Sequence, residues 1–239
     1  DEEMLMVLTF NLEYFWTVWP QLLEAVPFTL YFIVMSSVVS LLAGILVALI
    51  RIPRLPVLYQ LTEVWMSFVR SMPFVLLLFL SYFLLPLPLQ TLGVDTNAIP
   101  KEVYVYVAMI IHYGPIIAEV IRPAYEAVPR GQTEAAIAFG LSTWHRVTRI
   151  LLPQALPIML PGMVNQLIEI IKDTSLMYMI GLMDLMGRAN LLIHLRMGEG
   201  KLECYIAVAI IYWILISALE LLAARLDERS QKFLRRRAA

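Results

Sequence analysis

Charge is scarce in this chain: only 15% of its 239 residues are Asp, Glu, Lys or Arg, where a soluble domain carries about a quarter. That shortage excludes an ordinary solvated surface. The formal net charge of −1 argues for no particular partner, and no nucleic-acid partner is expected. A lone cysteine, Cys204, cannot form a disulfide within the chain. With three histidines in all and no H-E-x-x-H, no G-x-S-x-G and no Cys/His cluster, neither a catalytic constellation nor a metal site is expected. The phosphate-cradling string G-x-x-x-x-G-K-[ST] is missing too. The only Gly–Lys pair, Gly200–Lys201, is followed by Leu202 and lacks the earlier glycine, so this chain should not hydrolyse ATP unaided. The opening "DEEMLMVLTF" is acidic, whereas a secretory signal needs a basic start; no signal peptide is expected there. With no internal repeat and no low-complexity linker, residues 1–239 read as a single transmembrane domain.

What the chain has in quantity is apolar sequence, at 60% of residues and a mean hydropathy of +0.76. A membrane helix needs roughly 20 mostly apolar residues, and five stretches meet that need. Ala25 to Ile50 is free of charge. Ser71 to Val94 is closed by Pro86 and Pro88, and its helix can be extended back towards Val57, which would put Arg70 inside it. Val103 to Ala118 extends to Arg122. Ile150 to Ile168 continues past Glu169 to about Met183, and Cys204 to Leu219 is the fifth. The aromatic segment from Phe10 to Leu23 is too short to span and reads as an interfacial helix, with Tyr and Trp at headgroup depth. The fold class is therefore an all-α membrane protein of about five transmembrane helices.

Lys and Arg set the expected orientation. Arg51, Arg54, Arg122, Arg130, Arg146, Arg149, Arg225, Arg229, Lys232, Arg235, Arg236 and Arg237 fall on one side. Lys101, Arg188, Arg196 and Lys201 fall on the other. The N-terminus should face out and the C-terminus the cytoplasm.

The loop from about residue 123 to 150 is then cytoplasmic. It contains the semi-polar stretch "EAAIAFGLSTWHRVTRILLPQALP", residues 134–157. The preceding "VPRGQT" is turn chemistry. Thr133 is placed to cap a helix through Phe139, Gly140 to end it, and Ser142 to cap a second short helix through Arg149. Such a knob carries Ile137, Phe139, Leu141 and Trp144 as apolar surface and suits a groove in a soluble partner. The plainer alternative is an amphipathic loop lying on the membrane surface.

The spacing of Glu134, Ala135, Ala136, Gly140, Ile150, Leu152 and Pro153 resembles the EAA motif of type I ABC-importer permeases. The continuation "LLPQALPIMLPGMVNQLIEIIKDTSL", with "AEVIRPAYEAVPRGQTEAA" and "RSMPFVLLLFLSYFLLP", resembles their polar-amino-acid branch. The likeness covers about Phe28 to Leu226. Pro123 departs from it, standing where Gly or Ser is common, and is expected to kink the end of the third helix. The resemblance implies the type I permease fold, a second permease subunit (identical or different), and ABC ATPase subunits docked on the loop through Glu134, Ala135, Ala136 and Gly140. It also implies an extracellular or periplasmic amino-acid-binding protein, a prokaryotic inner membrane, and ATP and Mg²⁺ bound by the partner ATPase with no cofactor in this chain. ATP binding would close the ATPase pair and turn the permease from inward- to outward-facing.

The translocation path is read from Asn165, Gln166, Glu169, Lys172 and Asp173. Their spacing of i, i+1, i+4, i+7 and i+8 makes one helical stripe. Ionisable groups inside a membrane cost about 2.5–3.5 kcal/mol each on insertion scales, so they face a cavity or each other. Glu169 is the better specificity candidate, because "KD(T/S)SL" recurs in family members with different substrates. Mutual neutralisation, Glu169 with Lys172 and Asp173 with Arg70 or a helix terminus, stays open. His112, Tyr113 and Glu119 are weaker candidates. "KDTSLMYMIGLMDLMGRAN" resembles the cystine-type members, with Gly181 to Ala189 an outward loop where a binding protein would dock. Three rival readings stand beside this one: a secondary transporter or channel, a membrane enzyme, and a subunit of a heteromeric pair that lacks a substrate pocket.

Overall fold

A computed structural model describes the backbone of residues 10–238 and side chains as far as Glu228. The acidic opening and the tail cluster Lys232, Arg235, Arg236 and Arg237 lie outside the described side chains. Helices follow in the order α1 Leu12–Leu23, α2 Val26–Arg51, α3 Pro56–Arg70, α4 Phe74–Leu84, α5 Pro86–Thr91, α6 Lys101–Glu126, α7 Arg130–Ala138 and α8 Thr143–Arg146. After α8 come a π-helical turn at Val147–Leu151, α9 Leu152–Thr174, a 3₁₀ segment at Ser175–Ile180, α10 Leu185–Leu195 and α11 Lys201–Ala238. The described residues contain no strand. Five stretches are long and apolar enough to cross a membrane: Val26–Arg51, Phe74–Thr91, Lys101–Glu126, Thr143–Ile180 and Lys201–Glu228.

The second of these does not run back to Val57. Helix α3 ends at Arg70 and α4 starts at Phe74. Pro73 donates no N–H and pushes Met72 out of the helical region. Pro123, by contrast, sits inside α6, which runs on to Glu126.

The chain divides into two compact units, the first from residues 1–38, 73–108 and 169–218, the second from 39–72, 109–168 and 219–239. In the first, α1 is capped by Asn11, whose side chain accepts from the Tyr14 N–H at 2.9 Å. One face of α1 (Tyr14, Phe15, Val18, Leu22) packs with Leu185, Ala189 and Ile193 of α10 and Cys204 and Val208 of α11. Leu12 and Trp16 stay exposed. Polar side chains tie helices together where apolar attraction between them is weak in lipid. The Ser81 hydroxyl donates to the Tyr104 carbonyl at 2.7 Å, and Thr29 Oγ1 accepts from the Leu185 N–H at 2.9 Å.

In the second unit, small residues let backbones approach. A Cβ on Gly162 would stand 2.7 Å from Val120 Cγ1. The Trp65 indole donates to the Ile111 carbonyl at 3.1 Å. Arg51, expected among the basic residues of one membrane face, is only 1% exposed. It pairs with Glu63 at 2.5 Å, donates to Thr62 Oγ1 at 3.3 Å and stacks 5.0 Å from the Tyr59 ring. A charge this buried persists only with partners. Burial works to raise the Glu63 pKa, but the hydrogen bond from Arg51 and its charge outweigh it and hold the carboxyl below the usual range.

Candidate functional site

The 123–150 loop folds as a helix, a tight turn and a second helix. Helix α7 starts at Arg130, with Pro129 before it at φ −55°, so Thr133 lies inside the helix and does not cap it. Gly131 is helical rather than part of a turn. The fixed φ of proline pre-organises a helix start, which moves the boundary four residues earlier than the hydroxyl suggested. Gly140 ends α7 as expected. Its φ is +70°, its N–H reaches the Ile137 carbonyl at 2.9 Å, and the Leu141 N–H reaches Ala136 at 3.0 Å. That pair of bonds is the Schellman arrangement, and it satisfies carbonyls the helix end would leave bare. Ser142 caps α8, accepting from the His145 N–H.

The second helix does not stop at Arg149. It passes through the π-helical turn, where the Leu152 N–H bonds to Val147 five residues back, into α9. Pro153 explains the widening, since its ring would collide with the Arg149 carbonyl in a regular α-turn. Of the EAA residues, Ala136 is buried at 2% exposure, while Glu134 and Ala135 are exposed. Glu134 has no ion pair among the described residues. Phe139 is 86% exposed and Trp144 73%. Two bare aromatic rings held on a rigid turn are unusual for a finished surface and are what a docking site presents.

Helix α9 carries Asn165, Gln166, Glu169, Lys172 and Asp173 together. Lys172 donates to Glu169 at 2.6 Å, and the two side chains are 52% and 54% exposed. Each therefore neutralises the other without being buried. Asn165 is exposed and Gln166 partly so; Asp173 is half-buried and is not free. Arg70, one partner considered for Asp173, pairs with Glu119. Tyr113 is 2% exposed and packs edge-on against His112 at 4.9 Å.

The segment Gly181 to Ala189 is a loop only as far as Asp184, and Leu185 to Ala189 are helical. Gly181 makes a left-handed turn at φ +83°, Asp184 caps α10 by accepting from the Gly187 N–H at 2.8 Å, and Leu185, Gly187 and Ala189 are buried. The apolar spacing Leu185, Ala189, Leu192, Ile193 is that of a helix face, a signal present in the sequence. Burial pushes the Asp184 carboxyl up to about 6, against hydrogen bonds that pull it down. One residue the sequence did not single out is Lys101. Its ammonium donates to the Ile180 carbonyl at 2.9 Å, closing the 3₁₀ segment that follows Asp173. No group of three metal-ligating side chains exists among the described residues.

Comparison with known proteins agrees with this architecture. The family described as "Binding-protein-dependent transport system inner membrane component" matches residues 40–232. The L-cystine transport system permease protein TcyL of Bacillus subtilis is 37% identical over 194 residues, 81% of this chain and 80% of that one. The probable amino-acid ABC transporter permease protein PatM of Vibrio harveyi is 33% identical over 204 residues, covering 85% and 89%. Among solved structures, an amino acid ABC transporter crystallised with histidines matches with a TM-score of 0.76 over 93% of this chain and 100% of that one. At 23% identity it speaks for the fold alone.

Proposed function

We infer the function from kinship: the chain belongs to the family of binding-protein-dependent transport system inner membrane components, and it is the permease of an amino-acid ABC importer. It is a multi-pass membrane protein and the membrane component rather than the ATPase. Our reading places it in a prokaryotic inner membrane, N-terminus out and C-terminus in the cytoplasm, paired with a second permease subunit.

The knob of α7 and α8 is the ATPase dock in this reading. The observation that carries it is the exposure of Phe139 and Trp144 on a turn fixed by Gly140, at the EAA spacing. Glu134 supplies a carboxylate for a basic residue of the ATPase, which binds ATP and Mg²⁺. The π-helical turn joins the dock directly to α9, the helix with the polar stripe, so movement of the dock reaches the path without a loose linker. A photo-crosslinker at Phe139 should capture a nucleotide-binding subunit. Capture of lipid alone, while an ATPase co-purifies, would remove the dock from this loop.

For the substrate we propose a polar amino acid, cystine first, on the likeness to a cystine permease. Glu169 meets the substrate's ammonium by exchanging Lys172 for it; a charge-assisted bond is roughly twice as strong as a neutral one. An extracellular or periplasmic binding protein delivers the substrate. The Glu169–Lys172 pair also favours a second reading, in which this subunit holds no pocket and a different permease subunit supplies it.

A further inference from the structure

The second unit encloses an apolar groove of about 700 Å³, within the roughly 300–1,000 Å³ of small-molecule sites. Leu41, Ile45 and Leu49 of α2 form one wall, and Leu152, Leu156 and Met159 of α9 the other. No charged residue lines it, and among the described residues that do, Tyr125 alone has a polar group in its side chain.

Depth and charge identify the occupant. From Leu41 to Ile52 the groove follows eleven residue steps, roughly 16 Å at about 1.5 Å per residue. One leaflet of a hydrocarbon core about 30 Å thick is about 15 Å. A helix from a second copy would cross both leaflets and has no need of a slot that stops after one. The groove ends at Ile52, Pro53, Tyr125 and Val147, where cations gather. Arg54 is 65% exposed and lies 3.1 Å from Glu126. Arg122 shares that carboxylate at 3.5 Å, so two guanidiniums face one acid and the group is positive. Arg149, two residues past Val147, is exposed and has no ion pair among the described residues.

We propose that this groove binds an anionic phospholipid, with an acyl chain between α2 and α9 and the phosphate at Arg54. Apolar walls of one leaflet's depth take the chain, and the excess cation takes the headgroup. The site would tie transporter assembly or turnover to the lipid composition of one leaflet, and it does not depend on which solute is carried.

The test uses the full chain purified with its partner subunits, delipidated, titrated with phosphatidylglycerol or phosphatidylcholine and weighed by native mass spectrometry. Phosphatidylglycerol should be retained at one per copy and phosphatidylcholine released. The paired change Leu49→Trp with Leu156→Trp fills the slot and should abolish retention. Arg54→Gln, at an exposed position that folding tolerates, should weaken it about fivefold, the weight of about 1 kcal/mol per cation at an anionic surface. Undiminished retention in either variant overturns the proposal, as does equal retention of both lipids. A disulfide between two copies carrying Leu49→Cys and Leu156→Cys would show a second copy in the groove and overturn it as well.

Discussion

Gly140→Val attacks the proposed dock without touching any partner surface. At φ +70° a residue with a Cβ costs about 1–2 kcal/mol, and a β-branched one is a genuine outlier there. Nothing lies within 4 Å of the position a Cβ would take, so no packing clash adds to the backbone term. The chain has two responses. It can keep the turn and carry the strain, or open the turn and lose the bonds from Gly140 to Ile137 and from Leu141 to Ala136, each worth about 0.5–1.5 kcal/mol net. Either way the cost is about 1–3 kcal/mol, which corresponds to about 5- to 150-fold in assembly if it is fully coupled to docking. The assay is recovery of ATPase on the tagged permease at matched expression, with coupled ATP hydrolysis in proteoliposomes alongside. Gly140→Asn is the comparator, because asparagine tolerates the left-handed region, and it should retain most of the assembly that Gly140→Val loses. Wild-type assembly and coupling with Gly140→Val, or an equal loss with both variants, would show that assembly does not depend on the left-handed turn at Gly140.

Glu169→Gln should lower amino-acid uptake at least tenfold while ATPase recovery stays unchanged; unchanged uptake would make the Glu169–Lys172 pair structural, and loss of both readouts would make it architectural. Deleting Arg235 to Ala239 should leave uptake largely intact, because that cluster is read as anchoring to anionic lipid at about 1 kcal/mol per charge; a large loss at normal expression would contradict this. Asp184→Asn should flatten the stability–pH curve. The folded-state pKa of Asp184 is raised from 3.8 to about 6, so its favourable contribution is full below about pH 4 and is lost as pH rises through about 6. The size is on the order of 3 kcal/mol by linkage. Thermal unfolding in detergent at pH 4.5 and 7.5 reads the difference, and an unaltered slope in the variant would contradict the assignment.

The spans and the helix–turn–helix of the 123–150 loop were legible because their signals are local. Runs such as Ala25 to Ile50 need only composition, and Gly140 and Ser142 announce a helix end and a helix start by residue type alone. Thr133 misled because a hydroxyl before an apolar run looks like a cap, while Pro129 had already fixed the start. Gly181 to Ala189 read as a loop on the likeness to cystine-type members; the cap at Asp184 and the face of Leu185, Ala189, Leu192 and Ile193 were the stronger pattern. Partners distant in sequence were not legible. Nothing in the order of residues says that Arg70 meets Glu119, that Lys101 reaches Ile180, or that Arg51 is buried on Glu63. Those pairs depend on how helices lie against one another.

Uptake of labelled amino acid into proteoliposomes shows whether this chain works as the permease of an ATP-driven importer. The vesicles contain this chain with its ATPase and second permease subunit, with the binding protein outside and ATP inside. Uptake should require ATP, the ATPase and the binding protein together, and should stop when any one is omitted. Sustained, saturable uptake by this chain alone, without ATP, would make it a secondary transporter instead.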